Sequence, residues 1–258
     1  MLKNKYKILP LLLLLTIGFL SIRLFVLVVP AKTESADIRP GIEYLSSVMQ
    51  TNTQNTAPTT VETEQTTTEN KVRQNIETAI KKGNFNYAFK ETVISGDSIV
   101  KAIDEYDLLD STRVIAEIGA STHYLASVTD EIVAAKPKYL ILHYGENEVG
   151  GKDYSSFIKR YTECVKKLKK ELPHTEIYID SIFPVSDKAL EREPYLKYIG
   201  DYNAAMKNMA IELGVHYIDF DAMWQGFEKN YYDADGIHPL RSFYTEQYLL
   251  YILKEVGY

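Results

Sequence analysis

The chain has 258 residues, a formal net charge of −6 and a single cysteine, Cys164. This acidic balance, without a basic stripe, argues against nucleic acid as a partner. One cysteine excludes an intramolecular disulfide framework and a cysteine-rich metal site.

The N-terminus has the pattern of a membrane-spanning segment. Three lysines within residues 1–7 precede an apolar stretch over residues 8–30, which is long enough to cross a hydrocarbon core about 30 Å thick. Arg23 interrupts the stretch, but its cost of about 3 kcal/mol is outweighed by the surrounding Leu, Ile, Val and Phe residues. The lysines predict a cytoplasmic tail, a single-pass anchor in the cell membrane and a catalytic domain outside. A cleaved signal peptide, which would give a secreted protein, is the alternative.

Residues 31–84 are predicted to be an extracytoplasmic linker. Residues 51–70 are rich in Thr, Gln and Glu and offer almost nothing to bury, so a disordered tether is expected there. The folded domain is predicted to span residues 85–258.

The folded part alternates between short apolar runs and helical patterns. Strands are predicted at residues 92–95, 113–119, 139–144, 177–182 and 215–220. Helices are predicted at residues 99–109, 122–135, 155–172, 196–213 and 242–255. Short, fully apolar strands in a βαβ rhythm indicate a parallel sheet buried on both faces. We therefore predict a flavodoxin-like, three-layer α/β/α fold with a five-stranded parallel sheet.

Two short motifs carry groups that could perform nucleophilic catalysis. Ser98 follows the first predicted strand where a helix begins, a position that exposes a side chain beside free backbone N–H groups. In the Asp-Gly-Ile-His segment at residues 235–238, one turn can hold both functional side chains together. Asp235 would orient one ring nitrogen of His238, and the other would accept the proton of the serine.

Together with Gly-Glu-Asn-Glu at residues 145–148, these segments resemble the blocks of the SGNH (GDSL-type) hydrolase family over residues 90–258. The resemblance implies a catalytic triad of Ser98, Asp235 and His238. It also implies an oxyanion hole formed by Ser98, Gly119 and Asn147. The family pattern has Asp where this chain has Glu148, so we expect Glu148→Asp to leave turnover nearly unchanged or to raise it mildly.

Each of these residues also has a simpler interpretation. Ser98 could be only a helix N-cap, Gly119 a glycine that permits a tight turn, and Asn147 a loop residue that bonds its own backbone. The paired carboxylates Glu146 and Glu148 could bind a hard cation. No third ligand follows at suitable spacing, so neither a metal nor a cofactor is predicted.

Two further groups of residues have weaker assignments. His143 precedes the loop at residues 145–148 and is interpreted as a packed imidazole. The chain has 20 tyrosines. Tyr144, Tyr231 and Tyr232 are expected near the site, although most tyrosines are interpreted as half-buried aromatic residues.

The predicted function is a membrane-anchored extracytoplasmic serine esterase. It would remove a small acyl group, expected to be acetyl, from a cell-wall or surface carbohydrate, and that acylated carbohydrate is its expected partner. Two alternatives stay open at this stage: an O-acyltransferase that uses the same triad, and a noncatalytic carbohydrate-binding protein that retains the fold.

Overall fold

The computed structural model describes residues 62–227 and 229–257, with side chains described from residue 71 onward. The predicted tail and anchor, and residues 31–61 of the predicted linker, lie outside these ranges. Within the described part of the chain, no helix combines the length and apolar character needed to cross a membrane.

A five-stranded sheet forms the centre of the domain, as predicted. Its strands are β1 (Thr92–Gly96), β2 (Val114–Ala116), β3 (Tyr139–His143), β4 (Glu176–Asp180) and β5 (His216–Ile218). Their order is β2-β1-β3-β4-β5, and every neighbouring pair is parallel. The second and fifth strands are shorter than predicted, because Phe220 begins a helix and the chain after Ala116 turns into a loop.

Helices lie against both faces of this sheet. They are α1 (Glu62–Lys81), α2 (Phe85–Ala88), α3 (Ser98–Glu105), α4 (Thr122–Ala135), α5 (Ser155–Glu171), α6 (Asp187–Arg192), α7 (Ile199–Leu213), α8 (Phe220–Trp224), α9 (Arg241–Phe243) and α10 (Leu249–Glu255).

Alternate residues of each strand enter two separate hydrophobic cores. Ile94 of β1 packs in one core with Ile99 of α3 and Leu249 of α10. Its neighbour Val93 packs in the other core with Leu125 of α4. Since successive strand side chains point to opposite faces, these two cores are the two sides of the sheet. The predicted three-layer α/β/α arrangement is therefore confirmed.

The N-terminal boundary of the folded part differs from the prediction. Residues up to 84 are predicted to be linker, but α1 occupies part of that segment. Ile76, Ala79 and Ile80 are buried on one face of α1, and Ile76 and Ile80 belong to the same core as Ile94. This i, i+3, i+4 spacing is the stripe of an amphipathic helix, and burial of that stripe offsets the polar composition of its remaining residues.

The last predicted helix is interrupted rather than continuous. A π-helical segment, Tyr244–Tyr248, separates α9 from α10. Both of its terminal tyrosines donate hydrogen bonds into the core, from Tyr244 to the Ile99 carbonyl at 2.9 Å and from Tyr248 to the Asp180 carboxylate at 2.7 Å. The segment thereby connects the C-terminal helices to α3 and to the end of β4.

Ile80→Ala should destabilise the domain by about 2 to 5 kcal/mol, the usual cost of truncating a buried isoleucine to alanine. The side chain of Ile80 is 1% exposed, whereas Val72 on the same helix is 40% exposed. Val72→Ala is the matched control and should change the free energy of unfolding by about 0.5 kcal/mol or less. Chemical denaturation measures both. Equal, small effects would show that α1 is not part of the cooperative fold.

Candidate active site

The position of Ser98 is fixed by the junction between β1 and α3. Strand β1 ends at Gly96, and Asp97 caps α3 by accepting a hydrogen bond from the Ile99 backbone N–H at 3.0 Å. Asp97, and not Ser98, therefore fills the N-cap role, which leaves the Ser98 hydroxyl available for other contacts.

Ser98, His238 and Asp235 form a continuous chain of hydrogen bonds. Ser98 Oγ lies 3.0 Å from His238 Nε2, and His238 Nδ1 lies 2.6 Å from Asp235 Oδ2. With Nδ1 protonated and donating to Asp235, Nε2 is free to accept the serine proton. The structure thus brings together the three residues of the predicted triad, across 140 positions of sequence between the serine and the histidine.

The carboxylate of Asp235 is held by its own turn. Its Oδ1 accepts hydrogen bonds from the backbone N–H groups of Ile237 at 2.9 Å and His238 at 3.0 Å. Partial burial opposes ionisation, but the hydrogen bonds from the His238 ring and these two amides outweigh it and lower the pKa of Asp235. The group is therefore an anion that can stabilise an imidazolium.

Gly236 is required for the shape of this turn. It adopts a φ of +76°, and a Cβ at this position would lie 1.9 Å from Ser186 Oγ. Its carbonyl accepts a hydrogen bond from the Ser186 backbone N–H at 2.8 Å. The turn that carries Asp235 and His238 is thereby packed against the loop that follows β4.

The two remaining oxyanion candidates lie in loops at the same edge of the sheet. Gly119 follows β2, adopts a φ of +74° and is exposed. Asn147 follows β3 in a short 3-10 turn, Glu146–Glu148. Its side-chain amide donates to Asp97 Oδ2 at 3.3 Å and to the Ala120 carbonyl at 3.0 Å. Both amide hydrogens therefore have acceptors within the protein, rather than pointing freely toward the serine.

Glu148 has a structural position that the sequence motif did not reveal. Its carboxylate accepts hydrogen bonds from the Thr122 backbone N–H at 2.7 Å and the Thr122 hydroxyl at 2.8 Å, at the start of α4. It also forms an ion pair with Arg160 of α5 at 2.7 Å. The Glu148 side chain thereby connects α4 to α5, which indicates a structural role. The expected effect of Glu148→Asp on turnover stays a prediction.

An open cleft of about 510 Å³ lies over the serine. It is lined by Ser98, Ile118, Gly119, Glu146, Asn147, Val149, Gly150, Glu193, Tyr195, Leu196, Ile237 and His238. All the predicted site residues except Asp235 are among them, and Asp235 lies directly behind His238. The carboxyl ends of four strands and the C-terminal turn therefore meet at one place, as expected for a parallel sheet.

Of the two carboxylates that line the cleft, Glu146 is the one whose pKa is raised. Burial, followed by the negative charges of Asp97, Asp235 and Glu193, raises the pKa of Glu146 well above its ordinary value. Asp97 is fully buried, and its burial likewise raises its pKa.

Sequence reasoning missed one wall of the cleft and misplaced the tyrosines. Glu193 and Tyr195 come from the loop after α6, which has no motif, and the Tyr195 hydroxyl donates to Glu193 at 2.5 Å. Tyr144 was expected near the site, but it is buried and shares a hydrogen bond of 2.7 Å with Ser95. Only its chain position after a strand suggested a place near the site, and neither Tyr231 nor Tyr232 lines the cleft.

His143 is packed in the interior, as predicted. It is 1% exposed, its ring centroid lies 4.6 Å from that of Phe183, and Nδ1 lies 3.6 Å from Asp180 Oδ2. Among the side chains that the structure describes, in residues 71–227 and 229–257, no three of His, Cys, Asp or Glu are grouped so that they could hold a metal ion.

One known sequence family matches most of this domain. The sequence model described as the GDSL-like Lipase/Acylhydrolase family matches residues 103–244, which is more than half of the chain. The match includes Asn147, Asp235 and His238 and begins just after Ser98. No curated protein matches the chain significantly.

Solved structures share the fold at low sequence identity. A GDSL-like lipase from Bacteroides thetaiotaomicron has a TM-score of 0.50 and 14% identity, with 64% of this chain and 86% of that chain covered. A lipase/acylhydrolase from Enterococcus faecalis has a TM-score of 0.50 and 15% identity, with coverage of 64% and 95%. An acetyl xylan esterase has a TM-score of 0.50 and 16% identity, with coverage of 64% and 99%.

Glu148→Asp should lower the free energy of unfolding by about 1 to 3 kcal/mol, because the shorter side chain cannot reach Thr122 and Arg160 together and leaves buried donors unpaired. Thermal and chemical denaturation measure the loss. Glu163→Asp, an exposed position on α5, is the matched control and should cost about 0.5 kcal/mol or less. A Glu148→Asp variant as stable as the wild type would show that these contacts contribute nothing.

Proposed function

Because the chain belongs to the GDSL-like lipase/acylhydrolase family and is a carboxylic ester hydrolase, we propose that it cleaves esters through an acyl-enzyme on Ser98. One observation carries this proposal. The hydrogen bonds from Ser98 to His238 and from His238 to Asp235, at 3.0 and 2.6 Å, are already aligned for proton transfer.

Ester cleavage on this arrangement proceeds in two halves. Ser98 Oγ attacks the ester carbonyl carbon while its proton passes to Nε2 of His238, and Asp235 stabilises the resulting imidazolium. The tetrahedral intermediate then loses its alkoxide, which takes the proton from His238. In the second half a water molecule, deprotonated by the same nitrogen, attacks the acyl-enzyme and releases the carboxylic acid and the free serine.

The oxyanion would be stabilised by the backbone N–H groups of Ser98 and Gly119 and by the Asn147 amide. Asn147 is fixed by its bond to the Ala120 carbonyl at 3.0 Å, whereas its bond to Asp97 is longer, at 3.3 Å. The longer bond is the weaker of the two. We infer that the amide hydrogen directed to Asp97 turns to the oxyanion as negative charge develops there.

The substrate is proposed to be a small acyl ester, an O-acetyl group, on a carbohydrate. The cleft is open rather than a deep tunnel, which suits a short acyl group on a large alcohol. Tyr195 presents a ring that is 40% exposed at the rim, where a sugar could pack against it. The acetyl xylan esterase that shares the fold acts on an ester of this kind.

The location of the enzyme is proposed from the N-terminal sequence. The lysines of residues 1–7 and the apolar stretch over residues 8–30 support a single-pass anchor with the catalytic domain outside the cell membrane. A surface carbohydrate would then lie within reach of the cleft.

Ser98→Ala and His238→Ala should each reduce turnover of a chromogenic acetyl ester by about a thousandfold or more, because each removes half of a proton-coupled nucleophile. The double variant should lose little more turnover than either single variant. Steady-state kinetics and the melting temperature are measured together, and both variants should remain folded. Near wild-type turnover in either folded variant would overturn the assignment of nucleophile or base.

Asn147→Ala should lower kcat about a hundred- to a thousandfold with little change in KM, the effect expected for one lost oxyanion donor. Asn147→Asp is the informative companion, since it keeps the size of the side chain but replaces the amide donor with an acceptor. It should be at least as inactive as the alanine variant. Retained turnover in both would remove Asn147 from the oxyanion hole.

A further inference from the structure

Negative charge dominates the cleft over Ser98. Two of its lining residues, Glu146 and Glu193, are carboxylates, and no lysine or arginine is among the described residues that line it. The neighbouring Arg192 is occupied, because it donates to Glu193 and to the Asp235 carbonyl, each at 2.9 Å. A bound ester would therefore meet an acidic surface that no lining cation neutralises.

Glu146 differs from the other carboxylates at the site, because no hydrogen-bond or ion-pair partner for it is found in the part of the chain that the structure describes. Asp97 accepts hydrogen bonds from Ile99 and Asn147, and Asp235 accepts them from its own turn and from His238. Glu193 accepts from Tyr195 and Arg192. Among the described residues, no hydrogen bond or ion pair reaches the Glu146 carboxyl, although it lines the same cleft as the nucleophile.

The charged form of Glu146 is unfavourable in these surroundings. Partial burial and the charges of Asp97, Asp235 and Glu193 both oppose ionisation of Glu146 and raise its pKa. A hydroxyl group of a ligand could pair with one carboxylate only. A cation in the cleft would interact favourably with Glu146 and Glu193, the two carboxylates that line it, while an anionic ligand would be repelled by both.

We propose that Glu146 is a specificity-determining residue, which selects esters that carry an ammonium group close to the scissile bond. This inference rests on the proposed function and narrows its substrate class to acyl esters of sugars with a free amine. Esters of uronic acids or phosphorylated sugars would be disfavoured by the same charges.

The direct test compares two esters of the same shape that differ in charge. Acetylcholine carries a quaternary ammonium group, and 3,3-dimethylbutyl acetate has a neutral carbon in place of the nitrogen. At a pH above the raised pKa of Glu146, where its carboxylate is charged, kcat/KM of the wild type should favour the cationic ester about tenfold or more. In Glu146→Gln this ratio should fall to about twofold or less, because the amide keeps the shape of the side chain but loses its charge.

The matched control is Glu163→Gln, which removes an equal charge from an exposed position on α5. This variant should retain the wild-type ratio, which separates a local effect of Glu146 from a general change in net charge. A second pair, the O-acetyl esters of glucosamine and N-acetylglucosamine, tests the same preference on sugars. The glucosamine ester should be favoured by the wild type and not by Glu146→Gln.

The selectivity should also depend on pH. As pH rises through the raised pKa of Glu146, the carboxylate forms, so the preference for the cationic ester should increase. His238, Tyr195 and the carboxylates of Asp97, Asp235 and Glu193 also face this region, but they remain in Glu146→Gln. The ratio should therefore rise with pH in the wild type and change less in the variant.

Failure of this inference is distinguishable from failure of the proposed function. Equal kcat/KM for both esters in an active, Ser98-dependent wild type would overturn the inference and leave the esterase assignment standing. So would a ratio that persists in Glu146→Gln. Absence of Ser98-dependent hydrolysis of all four esters and of a simple chromogenic ester would instead contradict the proposed function itself.

Discussion

The buried carboxylate of Asp97 connects two segments of the site, the start of α3 with Ser98 and the loop with Asn147, and so fixes their relative position. One oxygen accepts the Ile99 backbone N–H and so fixes the start of the helix that carries Ser98. The other accepts the Asn147 amide, from a loop 50 residues away in sequence. Burial raises the pKa of Asp97, while the nearby His143 and the Ile99 hydrogen bond oppose that rise. A buried charge of this kind is retained only where its hydrogen bonds are made, so its geometry is strongly constrained.

The parallel sheet explains why distant segments can share this geometry. Ser98, Gly119 and Asn147 follow β1, β2 and β3, and the wall with Glu193 and Tyr195 lies in the connection after β4. Parallel strands place all their carboxyl ends at one edge, so chain separation is no obstacle. The C-terminal turn reaches the same edge because Gly236 packs on Ser186, and because the Tyr232 hydroxyl donates to the Pro184 carbonyl at 3.1 Å.

The sequence predicted the parts of this arrangement that depend on local pattern. Buried strands, amphipathic helices and the short spacing between Asp235 and His238 are all visible within a few residues. The role of Glu148 was not visible, because its partners lie 26 and 12 positions away and only the folded chain joins them. The cleft wall at Glu193 and Tyr195 was missed for the same reason. The apolar stripe of α1 was present in the sequence, but the polar composition around it favoured a linker.

Covalent labelling with a fluorophosphonate would show whether Ser98 is the nucleophile and whether His238 activates it. Peptide mapping by mass spectrometry would locate the modified residue after inactivation of the enzyme. A single phosphonyl group should form on Ser98 in proportion to the activity lost, and labelling should be strongly slowed in folded His238→Ala. Inactivation with the label on another residue, or labelling of Ser98 at the same rate without His238, would contradict these assignments.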